Sequence, residues 1–386
     1  MPIGGGKNLA EKYSKTVDER FTRESQAVMA LNNNYDFNGV DTVKVYSIPV
    51  VPMTDYQRSG LARYGTPDDL QRNVQTMKVT KDRAFTFIID KGDKIQSQMV
   101  SDAGKALQRQ LSEVWVPEYD TYVFRTLAAN ATAKGNFATT AITKDGANNT
   151  IGAYEAFLAG MEALGNANVP DQGRVAFCSY RFANLLKQDS AFMRYGDASQ
   201  QMLIKGVIGE VDGCKIVKVP ASRLPAGAAF ILTHPIAATG PKQLEDYKIH
   251  DNPPGINGWL VEGRVIYDCF VLNEKAKAVY YHGSQAVMQA MNVITAPGST
   301  GKTQVILEPG THNVNGVKWY AVTAANAGAL TSVTYGTAIT VANWTEITAN
   351  GAEITPTAAT DKVIRVVEVD SANKPIAVGD AVLNLG

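Results

Sequence analysis

Chemistry-bearing residues are scarce in this sequence. Three cysteines, Cys178, Cys214 and Cys269, lie far apart in strand-like runs with no CxxC spacing. That excludes a disulfide framework and a thiolate metal site, and fits buried thiols in a reducing compartment. Four histidines, His234, His250, His282 and His312, show no metal-ligand spacing, so no metal is expected. There is no G-x-S-x-G elbow, and the paired carboxylates Asp68-Asp69 and Glu245-Asp246 sit in polar, solvated stretches. Charge of one sign is also missing: Lys plus Arg is 37 and Asp plus Glu is 37. Tight binding to nucleic acid through its phosphates normally needs a basic excess, so it is disfavoured. No apolar run approaches transmembrane length, and residues 1–10 are too polar and Gly-rich for a signal peptide. These absences predict no membrane partner, no cofactor, no catalytic set and no enzyme.

One motif imitates chemistry. Residues 296–303 (APGSTGKT) match a relaxed phosphate loop. A working phosphate loop needs a helix after it, whose N-terminal amides meet the phosphates. Here residues 304–310 (QVILEPG) read as strand and turn, so nucleotide binding is rejected in favour of a linker over residues 295–301.

What is present is architecture. Small or apolar residues at Ile95, Met99, Ala103, Ala106, Leu107, Leu111, Val114 and Trp115 alternate with Lys105, Arg109 and Glu113, an amphipathic helix with one buried stripe. Pro117 is expected to bend or end it, followed by a second piece over residues 119–129. Residues 7–31 form a helix-prone arm, with Leu9, Tyr13, Val17 and Phe21 spaced four apart. That stripe is too narrow for its own domain but adequate against a neighbouring subunit. A strand over 40–48 and another over 84–90 flank residues 53–81, an irregular excursion long enough to suggest function. Tyr56, Arg58, Arg63 and Tyr64 there suit an intersubunit contact, since Tyr and Arg are enriched in interface cores; Tyr13, Phe21 and Arg72 complete the expected contact set.

Beyond the long helix, Tyr154, Phe157, Leu158, Met161 and Leu164 predict a helix ended by Gly165 and Pro170. Residues 175–179 predict a buried strand, 181–188 a helix, and 207–219 a hairpin turning at Asp212-Gly213. Strands are expected over 228–233, 243–249, 258–272 and 276–281. Helices and strands mix without regular βαβ repetition, so the class is α+β. After Met291 the chain loses Phe, Met and Cys and becomes rich in Thr, Ala, Val and Asn. Short β segments over 305–307, 318–323, 332–334, 339–341, 362–370 and 381–385 predict a separate all-β module. Arms and loops with thin apolar stripes are costly to order alone and make sense if neighbouring copies order them.

Four stretches carry a resemblance: residues 40–49 (VDTVKVYSIP), 55–65 (DYQRSGLARYG), 83–90 (RAFTFIID) and 209–220 (GEVDGCKIVKVP). With the order of parts, they resemble the major capsid protein of tailed bacteriophages with the HK97-type shell fold. The resemblance covers about residues 7–283. It implies an α+β HK97-like fold with an N-terminal arm over 1–39, an extended loop with flanking strands over 40–90, and a spine helix with peripheral domain over 91–150. An axial domain over 151–232 and a return to the peripheral domain over 233–294 would follow, with the all-β module over 295–386 appended. It further implies a homo-oligomer of pentamers and hexamers in an icosahedral shell, portal and scaffolding partners, and non-specific contact with packaged double-stranded DNA. The setting implied is the virion, assembled in the host cytoplasm, with maturation hinging in the loop and bending the spine near Pro117. Some members crosslink a loop lysine to an asparagine. Lys78 and Lys81 are available, but no matching Asn is identified, so no crosslink is expected. The alternatives are an encapsulin-like nanocompartment shell, or an exported surface or adhesion protein with a β module.

Overall fold

The structure is a computed structural model that describes residues 25–32, 34–35, 42–47, 53–59, 63–65, 73–92, 103–147, 149–191, 209–308 and 317–386. The expected arm helix up to residue 24 and the first part of the expected spine, residues 95–102, lie outside these.

One helical path runs from Ala103 to Ala133: α1 (Ala103–Gln110), a π-helical turn (Leu111–Trp115) and α2 (Val116–Ala133). Pro117 does not end it, and the path continues past the expected stop at residue 129. Proline lacks an N–H and its ring crowds the carbonyl four residues back. The turn just before it is the wider π form, with the Val116 N–H bonded to the Leu111 carbonyl. An extra residue in one turn also rotates the apolar stripe. Val114, expected to be buried, is 47% exposed, while Ser112 is buried. Beyond the turn, α2 buries Tyr119, Val123, Phe124, Leu127, Ala128 and Ala131.

A three-stranded antiparallel sheet lies against this path, in the order Lys242–Asp251, Gly258–Tyr267, Lys81–Asp90. Its inner face presents Val265 and Tyr267. The Tyr267 ring is met by Trp115 at 4.7 Å and by Tyr119 and Tyr122 at 5.6 Å each. Gly263 leaves room for its neighbours: a Cβ there would run into the Phe85 ring, which itself lies 6.3 Å from Tyr247.

The central sheet is mixed and six-stranded, ordered Phe137–Ala138, Val279–Gly283, Ala228–Thr233, Val175–Ser179, Cys214–Val219, Glu210–Val211. One face packs on α2, where Phe124 meets Phe177 at 4.9 Å. The other is covered by α3 (Ala153–Asn166) and α4 (Tyr180–Gln188), with Phe157 and Phe182 against Phe230. The Asp212-Gly213 turn forms as expected, with φ of +51° and +70°, the doubly positive pair of a tight hairpin. The Ser179 hydroxyl caps α4 by accepting from the Phe182 N–H at 3.2 Å. Four expectations shift. The strand expected over 258–272 stops at Tyr267 and resumes only as a short strand at Phe270–Val271. The helix α3 passes through Gly165 to Asn166, Leu158 faces outward, and residues 273–278 form a 3-10 helix, so the strand expected from 276 begins at Val279. All three cysteines are buried.

The C-terminal residues build a cluster of their own around Val305, Leu307, Trp319, Ile347, Ile354, Ile364 and Val366. A five-stranded sheet runs in the order Gln289–Ala290, Pro375–Val382, Val363–Val369, Lys318–Ala324, Thr345–Ile347. A three-stranded sheet runs Asn292–Pro297, Thr303–Glu308, Ala352–Ile354. Residues 295–301 are therefore no linker but the end and turn of a hairpin. Residues 332–334 and 339–341 are not strands, and the last strand starts at Pro375, earlier than expected. The two sheets are stitched together where the Met291 N–H donates to the Val378 carbonyl at 3.0 Å and Thr295 Oγ1 donates to the Val382 carbonyl at 2.6 Å.

Candidate assembly surfaces

The stretch expected to be irregular over 53–81 contains a strand. Asn73–Lys78 pairs antiparallel with Thr42–Ser47, from Thr42 opposite Lys78 to Ser47 opposite Asn73, so the excursion begins and ends in a two-stranded ribbon. Alternation gives the ribbon two faces. One places Met77, Val43 and Val45 against Leu272, Ile266 and Phe270. The other exposes the opposed pair Tyr46 and Val74, 63% and 50% accessible. Hydrogen bonds fix the root: Gln75 Nε2 donates to the Val271 carbonyl and the Asn273 N–H to Gln75 Oε1, both at 2.9 Å. Buried Asp268 accepts from the Thr80 N–H at 2.9 Å and hydroxyl at 3.0 Å, from the Tyr122 hydroxyl at 2.6 Å, and from the Cys269 N–H at 2.7 Å. Burial, with the Asp268 charge beside it, pushes the Tyr122 phenol well above its ordinary range, so it stays a donor. The ribbon root is thus bolted to α2.

Of the expected contact residues, Tyr56 and Tyr64 are brought together, rings edge to face at 5.0 Å. The Gln57 N–H donates to the Arg63 carbonyl at 3.0 Å and the Thr54 hydroxyl to the Tyr64 carbonyl at 3.3 Å. Gly65, at φ +88°, makes the turn. Arg58 and Arg63 are exposed on the same tip. Tyr64 is 87% exposed and Met53 is fully exposed. Tyr13, Phe21 and Arg72 lie outside the described residues. Sequence reasoning missed Tyr46, Val74 and Met53; the signal available was an aromatic on the polar phase of the 42–47 alternation.

A second anchored element precedes the ribbon. In residues 25–32, the Ser25 hydroxyl donates to Asp120 Oδ1 at 2.6 Å, and the N–H groups of Gln26 and Ala27 reach the same carboxylate at 3.2 Å each. Asn32 closes the far end, its N–H donating to the Ala238 carbonyl at 2.9 Å and its side chain to the Pro235 carbonyl at 2.8 Å.

Other candidate groups resolve into structure. Ser299 in the phosphate-loop-like turn gives its N–H and hydroxyl to Glu353 at 2.8 and 2.7 Å, and Lys302 Nζ lies 3.6 Å from the same carboxylate. An internal carboxylate occupies the anion position, and these hydrogen bonds hold Glu353 below the usual range. Among the described residues no group of three or more His, Cys, Asp or Glu side chains could hold a metal ion, and no helix is long and apolar enough to cross a membrane.

Solved phage capsids share the fold of most of this chain. A structure of Mycobacterium phage Che8 is 19% identical with a TM-score of 0.58, the match covering 73% of this chain and 99% of that one. The capsid of the cyanophage P-SCSP1u is 12% identical at 0.55, covering 72% and 93%. That of the cyanophage Pam1 is 14% identical at 0.51, covering 72% and 97%. At such identities the likeness defines the fold. No match is found among curated proteins. A family profile described as phage capsid protein matches residues 73–281, more than half the chain. The chain belongs to that family and is a structural major capsid protein.

Proposed function

We propose that this chain builds an icosahedral phage head of the HK97 type, in which pentamers and hexamers enclose double-stranded DNA. Residues 1–39 act as the arm, 40–90 as the extended loop, 91–150 as the spine and peripheral domain, 151–232 as the axial domain and 233–294 as its peripheral return. Residues 295–386 are the appended module. The observation that carries this reading is the loop tip, where Tyr56 and Tyr64 are held against each other while Tyr64 and Met53 remain open to solvent. Organised apolar side chains without cover are the mark of a surface completed by another molecule, and in a closed shell that molecule is another copy. Tyr56, Arg58, Arg63 and Tyr64, with Tyr13, Phe21 and Arg72, make the intersubunit contacts. Balanced charge lets packaged DNA move past the wall without strong phosphate binding. The subunit works as a building block with no catalytic step, assembles in the host cytoplasm, and meets portal and scaffolding proteins during assembly.

Electron microscopy and sedimentation of the purified full-length chain test this. Closed particles or capsomer rings are the expected result. Single chains at high concentration overturn shell building, and particles that enclose protein cargo instead of DNA overturn the phage-head assignment.

A further inference from the structure

His282 lies in the central sheet, 2% exposed, where the edge strand Phe137–Ala138 joins it. Its Nε2 stands 2.8 Å from the Thr140 carbonyl, so Nε2 carries the proton and donates. Its Nδ1 finds no hydrogen-bond partner among the described residues. The ring rests on Phe230, 5.3 Å between centroids. A second set of contacts meets on the same edge strand. Phe137, one residue before Ala138, takes the ring of Tyr335 edge to face at 5.9 Å. The Tyr335 hydroxyl donates to the Thr132 carbonyl at 3.4 Å, and the Val287 N–H to Thr132 Oγ1 at 3.3 Å. Tyr335 belongs to the C-terminal residues, so its contact at Phe137 lies next to Ala138, which pairs with His282, and three residues before Thr140, which accepts from it.

We propose that His282 is an acid-sensitive latch for residues 137–152 and, through Phe137, for the seat of the C-terminal module. A neutral imidazole is satisfied by one donor and tolerates an idle acceptor at modest cost. A protonated ring carries a second N–H at Nδ1 and a full charge, and the described residues around it offer Nδ1 no acceptor. The titratable groups on this sheet face are Tyr280 on the same strand, Cys178 opposite Phe230, and Lys218 opposite Cys178. The helices add exposed Glu155 on α3 and half-buried Lys187 on α4, Lys144 and Asp145 lie farther along the segment that follows Ala138, and Asp189 lies just past α4. The tyrosine and thiol stay neutral, and no carboxylate among these reaches Nδ1. Burial keeps the imidazole below its ordinary range, opposed only by the hydrogen bond to Thr140. Proton uptake therefore favours release of the ring, and the edge strand with its Phe137–Tyr335 contact is released with it. Because the unfolded or released histidine binds the proton and the seated one does not, the latch holds above the ordinary pKa and weakens as pH falls through it.

Hydrogen–deuterium exchange of the full-length chain between pH 8 and pH 5, normalised to intrinsic rates, tests this. The opening constants of residues 137–152 and 331–340 are expected to rise up to about tenfold per pH unit below about 6.5, with α2 unaffected. In His282→Gln, which keeps a donor toward Thr140 but cannot take a charge, the rise should vanish. No rise in the wild type, an equal rise in the variant, or opening of 137–152 without 331–340 overturns the latch. If the variant does not fold, titration of the His282 ring by NMR decides, since a value at or above the ordinary histidine range also overturns it.

Discussion

Asp120 and Arg223 stand 103 residues apart in the chain and 2.7 Å apart in the fold, with side chains 0% and 4% exposed. The pair does not float in an apolar core. The carboxylate also takes the Ser25 hydroxyl and two backbone N–H groups, so its lone pairs are filled from the N-terminal segment. Burying charges costs several kcal/mol each, recovered only with such geometry, and here the recovery requires residues 25–27 to be seated.

Asp120→Ala should therefore destabilise the chain by about 3–5 kcal/mol, because it strands the Arg223 charge. Urea unfolding measures it, and limited proteolysis should find residues 25–32 newly cleaved. The double variant Asp120→Ala/Arg223→Met should regain much of the loss. A double variant as unstable as the single would mean that the pair's charge is not the dominant contribution.

Gly263→Ala drives a methyl into the Phe85 ring and should cost about 1–3 kcal/mol. In a Phe85→Ala background the same change should cost clearly less, since only the Tyr247 ring, 3.0 Å from the added Cβ, still crowds it, giving a non-additive cycle. Thermal denaturation of the four proteins reads the coupling; additive effects would refute the contact.

Tyr64→Ser should leave monomer stability within about 0.5 kcal/mol, since the ring is exposed. Loss of one apolar contact per subunit of about 1.4 kcal/mol should raise the critical concentration for assembly about tenfold. Light scattering against protein concentration checks this, and an unchanged threshold removes the tip from the interface.

Burial pushes the thiols of Cys178 and Cys214 up to about 12 and that of Cys269 higher still. The reactive thiolate is therefore nearly absent from the folded chain at pH 8. A chromogenic disulfide reagent should label the native protein only at the rate of unfolding and should label all three cysteines in guanidinium. Fast native labelling of any one would contradict its burial.

Much of this architecture was written in local pattern. The Asp212-Gly213 turn follows from residues that tolerate positive φ, α3 from apolar residues three and four apart, and the α+β class from the mixture of periods. The loop tip was legible too, as a long stretch with Tyr and Arg between two strands. Local pattern failed wherever the partner was distant or the geometry cooperative. Asn73–Lys78 holds only Val74 and Met77 as apolar side chains and became a strand because Thr42–Ser47 meets it across the excursion. The π turn before Pro117 rephased a stripe that α-helical spacing placed elsewhere.

By itself the sequence determined the class of elements, much of their order and the balance of charge, because propensity, periodicity and charge are properties of neighbours in the chain. Only the tertiary structure decided the seat of residues 25–32 on Asp120, the bolting of the ribbon to Asp268, and the stitching of the two C-terminal sheets. Those depend on hydrogen-bonding groups brought together across tens to hundreds of residues, a matching that no local spacing encodes.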